Sequence, residues 1–296
     1  MRKSIIVILL VSAMTVYGTS QMKSVSFVAD DIPGIKLWDD GEIPFFKSED
    51  AGKKERLYPC SWDTRPRVTD VTIPEIYCFP APGKAAHPAV LVAPGGGYSY
   101  LSWEHEGIEI CRMFQRQGFT AFLLKYRCPG RRQAAFADAA RAIRLIRYQA
   151  EKFNILPDKV GAVGFSAGAH LCAVISAPAN EPYPEKDEVD KGSFRPDFTA
   201  LIYPAFLTGD MQKLTLKSEF KVDEKTPPAL LIQTGDDPIR VENSLAWYRA
   251  LQAEKIKCEM HIWDKGGHGY GIWLKDSPVA DWPLPAVKWF KRQLEK

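Results

Sequence analysis

The sequence predicts an α/β protein with a mostly parallel central sheet and helices on both faces. Three observations carry that reading. From Val68 onward, short apolar runs alternate with longer segments of helical periodicity. A strand-like run, Lys159 to Val163, feeds straight into Gly164-Phe165-Ser166-Ala167-Gly168 and then an Ala-rich helix. The chain of 296 residues is long enough for one large domain with a substantial core.

The elements follow in order. Residues 21–66 are rich in Pro, Asp, Gly and Trp and read as an irregular N-terminal arm, ahead of a catalytic domain over 67–296. Strands are expected near 71–79, 89–93, 120–126, 159–164, 198–203, 229–233 and 257–263. Helices are expected near 106–117, 134–153, 167–176, 241–254 and 286–294. In the second of these, Ala139, Ile143, Ile146 and Ala150 recur at helical spacing and should face the sheet. Residues 178–194 are polar, charged and without period, and read as a short lid over the site or as a solvated loop.

Residues 1–20 read as a secretory leader, with Arg2-Lys3 before an apolar stretch from Ile5 to Val16 and a small-x-small end at Val16-Tyr17-Gly18. The stretch is short for a membrane span. Export to the periplasm or the extracellular space follows, with no stable membrane anchor once the leader is cut. The net charge is +3, and loss of the leader's two cations lowers it to +1. With no basic stripe beyond Arg131-Arg132, nucleic acid is not an expected partner. Oligomeric state is not legible. Of six cysteines, Cys111 and Cys172 read as small core residues, Cys258 starts a strand, and only Cys60 and Cys78 are placed to bridge. No Cys or His spacing suits zinc, so neither metal nor cofactor is expected.

The candidate site starts at Ser166. A strand, sharp turn and helix expose a hydroxyl at a strand tip, and the glycines on either flank leave it room. The Ala167 N–H at the helix start can face a developing oxyanion. A serine needs a base, and the base an orienting acid. The run Ala229 to Gln233 ends in Asp236-Asp237-Pro238, and a later strand leads into Gly266-Gly267-His268-Gly269-Tyr270-Gly271. Acids at the C-terminal end of a parallel strand lie at the functional edge of a sheet. His268 is therefore the candidate base and one of the adjacent pair Asp236 and Asp237 the candidate acid, with Asp210 as an outside candidate. His87, His170 and His261 read as loop, helix-packing and sheet residues. His105 lies beside the glycine run Gly95-Gly96-Gly97, whose backbone N–H groups can approach a carbonyl oxygen. Tyr98, Trp103 and Tyr270 are candidate substrate contacts, with Tyr100 and Trp273 in the same sequence cluster, because aromatic faces suit sugar rings. They also suit a core.

Over nearly its whole mature length the sequence resembles the α/β-hydrolase superfamily, and within it the acetyl-xylan-esterase-like carbohydrate esterases related to hormone-sensitive-lipase-type enzymes. The resemblance is carried by Pro94-Gly95-Gly96-Gly97-Tyr98, Leu124-Lys125-Tyr126-Arg127, Gly164-Phe165-Ser166-Ala167-Gly168 with His170-Leu171, Arg195-Pro196-Asp197-Phe198 with Tyr203-Pro204, Asp236-Asp237-Pro238, and the glycine loop around His268. By that match Gly96 and Gly97, with Ala167, are the oxyanion donors, Pro94 standing where lipases and esterases carry histidine. The Asp237-Pro238-Ile239-Arg240 run likewise fits the esterase pattern for the acid. The resemblance implies a serine esterase that removes short acyl groups, chiefly acetyl, from an acylated carbohydrate such as xylan. Two departures stand out: Ala169 where the group has glycine, and Cys128 after Tyr126-Arg127, expected at the rim. Rival readings are a general short-chain carboxylesterase or lipase, a serine peptidase, and a catalytically silent fold used for binding.

Overall fold

The computed structural model describes residues 32–39, 41–58, 64–272 and 276–295. The expected leader at 1–20, Cys60 and Trp273 lie outside them.

An eight-stranded sheet is built from β1 (Gly34–Lys36), β2 (Glu75–Phe79), β3 (His87–Ala93), β4 (Thr120–Lys125), β5 (Ile155–Phe165), β6 (Phe198–Ile202), β7 (Ala229–Thr234) and β8 (Cys258–Trp263). The spatial order is β1-β2-β4-β3-β5-β6-β7-β8. The β2 strand runs antiparallel to both of its neighbours, and the remaining pairings, from β4 to β8, are parallel. Central strands are covered on both faces, which explains their continuous apolar runs: every residue of β4 and β6 is buried.

The helices are α1 (Glu109–Arg116), α2 (Arg132–Tyr148), α3 (Ala150–Phe153), α4 (Ala167–Ser176), α5 (Glu242–Ala253) and α6 (Pro283–Leu294). Strand order reverses between β3 and β4, so right-handed crossovers put α1 on one face and α2, α4 and α5 on the other. On the α1 face, the Phe114 and Phe290 rings of α1 and α6 meet at 4.8 Å. The chain also reverses direction across the sheet here, so the C-terminal ends of β3 and β5 open a crevice.

Several elements differ from expectation. The arm is not wholly irregular. Gly34–Lys36 adds an edge strand, and Arg56–Leu57 pairs with Val68–Thr69. Such short pieces carry no readable period. The helix expected from residue 106 begins instead as a π-helical turn, Glu104–Ile108. The stretch 178–194 is not a lid: it packs on α2 at the far end of α4 from Ser166, where Arg141 pairs with Asp187 at 2.6 Å and Asp190 at 2.7 Å. Cys128 is buried rather than at a rim, 1% exposed. Cys78 is a half-buried free thiol in β2.

Candidate active site

Ser166 stands between β5 and α4 with φ 51° and ψ −112°. A non-glycine residue held there stores strain on the order of 1–3 kcal/mol. The surroundings impose it. The Ser166 N–H donates to the Ile202 carbonyl at 3.0 Å, and the Ser166 carbonyl accepts from His170 N–H at 3.1 Å. The start of α4 presses onto the end of β3: a Cβ on Gly168 would sit 2.1 Å from the Ala93 carbonyl oxygen. Only glycine allows that approach, and it is what lifts the serine to the sheet edge.

His268 Nε2 lies 2.8 Å from Ser166 Oγ, and His268 Nδ1 lies 2.8 Å from Asp237 Oδ2. Asp237 is buried and accepts two further bonds, from Gln233 Nε2 at 3.0 Å and from the Ile239 N–H at 2.6 Å. A carboxylate saturated with donors fixes the tautomer: Nδ1–H donates to Asp237 and Nε2 accepts from the serine hydroxyl. Asp236 is exposed and serves the loop instead, accepting the Gly267 N–H at 2.8 Å and the Gly266 N–H at 3.2 Å. Those backbone donors, Gly267 first, hold its carboxyl below the usual carboxylate range. Asp210 caps a turn through the N–H groups of Gln212 and Lys213 and stays away from the site.

The glycine run is held as tightly. Gly96, Gly97 and Tyr98 have φ of 129°, 63° and 60° in succession. A Cβ on Gly96 would lie 2.0 Å from the Tyr100 carbonyl oxygen. Two buried polar groups anchor the loop from below. Glu106 Oε2 accepts the Gly95 N–H at 2.7 Å, while its Oε1 accepts the Tyr203 hydroxyl at 2.7 Å. The same Tyr203 oxygen accepts the Gly271 N–H at 3.0 Å. One carboxylate thereby joins the glycine run, the end of β6 and the loop of His268. The second anchor is His170, whose Nδ1 lies 2.6 Å from the Tyr98 hydroxyl and whose Nε2 lies 2.9 Å from Glu219 Oε1. Burial lowers the His170 pKa and raises that of Tyr98, so the pair is neutral. The bond from His170 in turn holds the Glu219 carboxyl low.

These groups border an open cavity of about 760 Å³. Ser166, His268, Gly96 and Gly97 line it, with Ala205, Phe206 and Ile239 as an apolar wall and Tyr58, Tyr100, Arg65 and Ser102 among the polar ones. Ala167, wholly buried, opens α4 beside Ser166.

Three expected substrate contacts are corrected. Tyr98, Trp103 and Tyr270 are 2%, 3% and 4% exposed, pack in the core and do not line this cavity, Tyr98 bordering a neighbouring one instead. The Tyr98 ring faces Tyr126 and His170, Trp103 packs edge-on to Tyr77 at 5.4 Å, and Tyr270 packs edge-on to Tyr203 at 4.4 Å. Proximity to the loops in sequence does not decide which way a ring points. In their place Tyr100, tilted against Tyr58 with centroids 4.6 Å apart, faces the cavity. His105 is buried and reaches the cavity wall, with Nε2 3.9 Å from Glu106 Oε1. His87 starts β3, and the His261 ring stacks on Trp263 in β8.

The chain is similar to several known proteins. The BD-FAE family matches residues 75–196. An acetylxylan esterase of Xylanibacter ruminicola is 32% identical over 228 residues, which is 68% of this chain and 45% of that protein. An endo-1,4-beta-xylanase B of Butyrivibrio fibrisolvens is 31% identical over 234 residues, 71% of this chain and 36% of that one. The chain thus matches less than half the length of either. The crystal structure of an acetyl ester-xyloside bifunctional hydrolase from Caldicellulosiruptor lactoaceticus is 30% identical, with a TM-score of 0.71 over 89% of this chain and 98% of that one. The chain belongs to the acetyl-xylan-esterase-like α/β hydrolases.

Within this α/β hydrolase, sequence reasoning missed Glu106, Tyr203 and Gln233, and read His170 only as a packing residue. Gln233 bridges Asp237 to Ser244, accepting from the Ser244 hydroxyl at 3.2 Å. Sequence offered no signal for Glu106, because Glu104, Glu106 and Glu109 stand together in one polar run and only the fold shows which is buried among donors. Among the described residues, no cluster of three or more His, Cys, Asp or Glu could hold a metal ion, and no helix is long and apolar enough to cross a membrane.

Proposed function

We propose that the chain is a serine esterase that removes short acyl groups, chiefly acetyl, from a carbohydrate such as xylan. The observation that carries this reading is the continuous hydrogen-bonded chain Ser166–His268–Asp237 beside the Gly96-Gly97 backbone, at the mouth of an open cavity. The acetylxylan esterase and acetyl ester-xyloside hydrolase relatives support the substrate class.

In the proposed reaction His268 Nε2 takes the Ser166 proton as Oγ bonds to the ester carbonyl carbon. Asp237 holds Nδ1–H and stabilises the imidazolium. The carbonyl oxygen becomes an oxyanion received by the backbone N–H groups of Gly96, Gly97 and Ala167. The carbon–oxygen bond to the sugar then breaks, and His268 returns the proton to the departing alcohol. Water attacks the acyl-enzyme, giving its proton to His268. The acid departs and the serine is reprotonated. Among the described residues the apolar part of the cavity lining is Ala205, Phe206 and Ile239, a short wall that suits a small acyl group. The secretory leader expected at 1–20 would carry the enzyme out of the cell, to where a polymeric substrate is met.

A substrate panel tests this reading. Acetyl esters of xylo-oligosaccharides and p-nitrophenyl acetate should be hydrolysed, with p-nitrophenyl decanoate and peptides left intact. Rates that rise with acyl length would overturn it in favour of a lipase.

A further inference from the structure

The glycine run is a ridge between two cavities. One holds Ser166 and His268; the other, of about 540 Å³, lies on the ridge's far side, and Gly97 and Ser99 line both. We infer that this second cavity is a subsite for the sugar units adjoining the acylated one, so that the enzyme reads a chain rather than a single acylated sugar. The inference rests on the carbohydrate-ester reading above.

The far wall is Phe45, 48% exposed and with φ 57°. An exposed phenyl ring on left-handed backbone contributes little to folding and is strained. Its loop is nevertheless fixed. The Pro44 carbonyl accepts from Arg127 Nη1 at 2.5 Å, and Arg127 is locked to buried Asp138, with Nη2 2.7 Å from Oδ1. Five residues after Phe45, Asp50 holds Arg131 at 2.5 Å. The loop is thus bolted at two points to the start of α2, and the ring is presented ready-placed, which cuts the ordering cost of binding.

The opposite wall supplies hydrogen-bonding groups. Arg132 and Gln133 are exposed at the first residues of α2. The Arg132 guanidinium carbon lies 5.0 Å from the Tyr98 ring and 4.4 Å from the Phe206 ring. Stacking orients a guanidinium and leaves its N–H edge for acceptors. Phe206 also lines the catalytic cavity, so the wall is continuous. The ridge between is low: nothing lies within 4 Å of where a Cβ on Gly97 would be. An apolar ring facing an arginine and an amide suits a pyranose, which has a C–H face and a hydroxyl rim.

Two measurements test the subsite. The first is kcat/KM on acetylated xylose against acetylated xylotetraose, each divided by the same protein's rate on p-nitrophenyl acetate. The wild type should favour the oligomer by about threefold to tenfold. Phe45→Asn, which tolerates positive φ, and Gln133→Ala should bring the ratio towards one. The second is calorimetric titration with unacetylated xylohexaose, which reads the subsite without turnover. Binding that Phe45→Asn weakens supports it. A flat chain-length profile with esters still cleaved, or xylohexaose binding that ignores both substitutions, overturns the subsite and leaves the esterase reading standing. Absence of all ester cleavage, with Phe45-dependent xylohexaose binding, would instead remove the esterase reading and keep the subsite.

Discussion

The Tyr98 hydroxyl lies 2.6 Å from His170 Nδ1, a bond that ties the loop of three positive-φ residues to the helix carrying Ser166 at its head. Loop and helix supply the two sets of proposed oxyanion donors. A shift of one against the other would misplace all of them. Tyr98→Phe should therefore lower kcat on p-nitrophenyl acetate about tenfold with KM little changed, since one misplaced donor costs roughly a hundredfold or more. A tenfold rise in KM at unchanged kcat would mean instead that Tyr98 acts on binding.

The same histidine sets a pH dependence. Burial lowers the folded-state pKa of His170, so the unfolded chain takes up the proton more readily. Stability should accordingly fall as pH drops below about 6.5, the ordinary histidine value, and level off once pH passes the folded-state pKa. Thermal melting between pH 7.5 and 5 should show this fall in the wild type, and a shallower one in His170→Gln.

Adjacent aspartates should separate by magnitude. Asp237→Asn removes the partner that fixes the His268 tautomer and should cost about 10⁴ in kcat. Asp236→Asn loosens only the loop bonds to Gly266 and Gly267 and should cost less than about a hundredfold. Steady-state rates of the two variants decide it, and reversed magnitudes would exchange their roles.

Glu106 is expected to matter for stability as well as rate. Glu106→Leu strands the Gly95 N–H and the Tyr203 hydroxyl in the interior. Each unsatisfied buried donor costs about 1–3 kcal/mol. Urea unfolding should show a lowered midpoint at unchanged slope, with kcat reduced in the surviving folded protein.

What could be read from the sequence divides along a physical line. The parallel strands and the 167–176 helix were legible because local apolar runs and glycine chemistry specify them. Ser166, Asp237 and His268, the proposed triad, were singled out because each lies in a turn or glycine-rich loop that follows a strand. The edge strand Gly34–Lys36 was not, since three residues carry no period and its pairing with β2 is distant in sequence. The anchors Glu106, His170 and Tyr203 were missed because their partners lie up to about a hundred residues away, as Tyr203 and Glu106 do. The aromatic residues were misread for a related reason: Tyr98 and Trp103 sit beside the glycine run, yet their rings turn inward.

The central claim is ester cleavage of acylated carbohydrate at Ser166, and acetate release from acetylated xylo-oligosaccharides tests it most directly. The chain should release acetate, and Ser166→Ala, with an unchanged circular dichroism spectrum, should lower the rate by about 10⁴ or more. Release at the wild-type rate from Ser166→Ala, or none from a wild type that cleaves p-nitrophenyl acetate, would contradict the account.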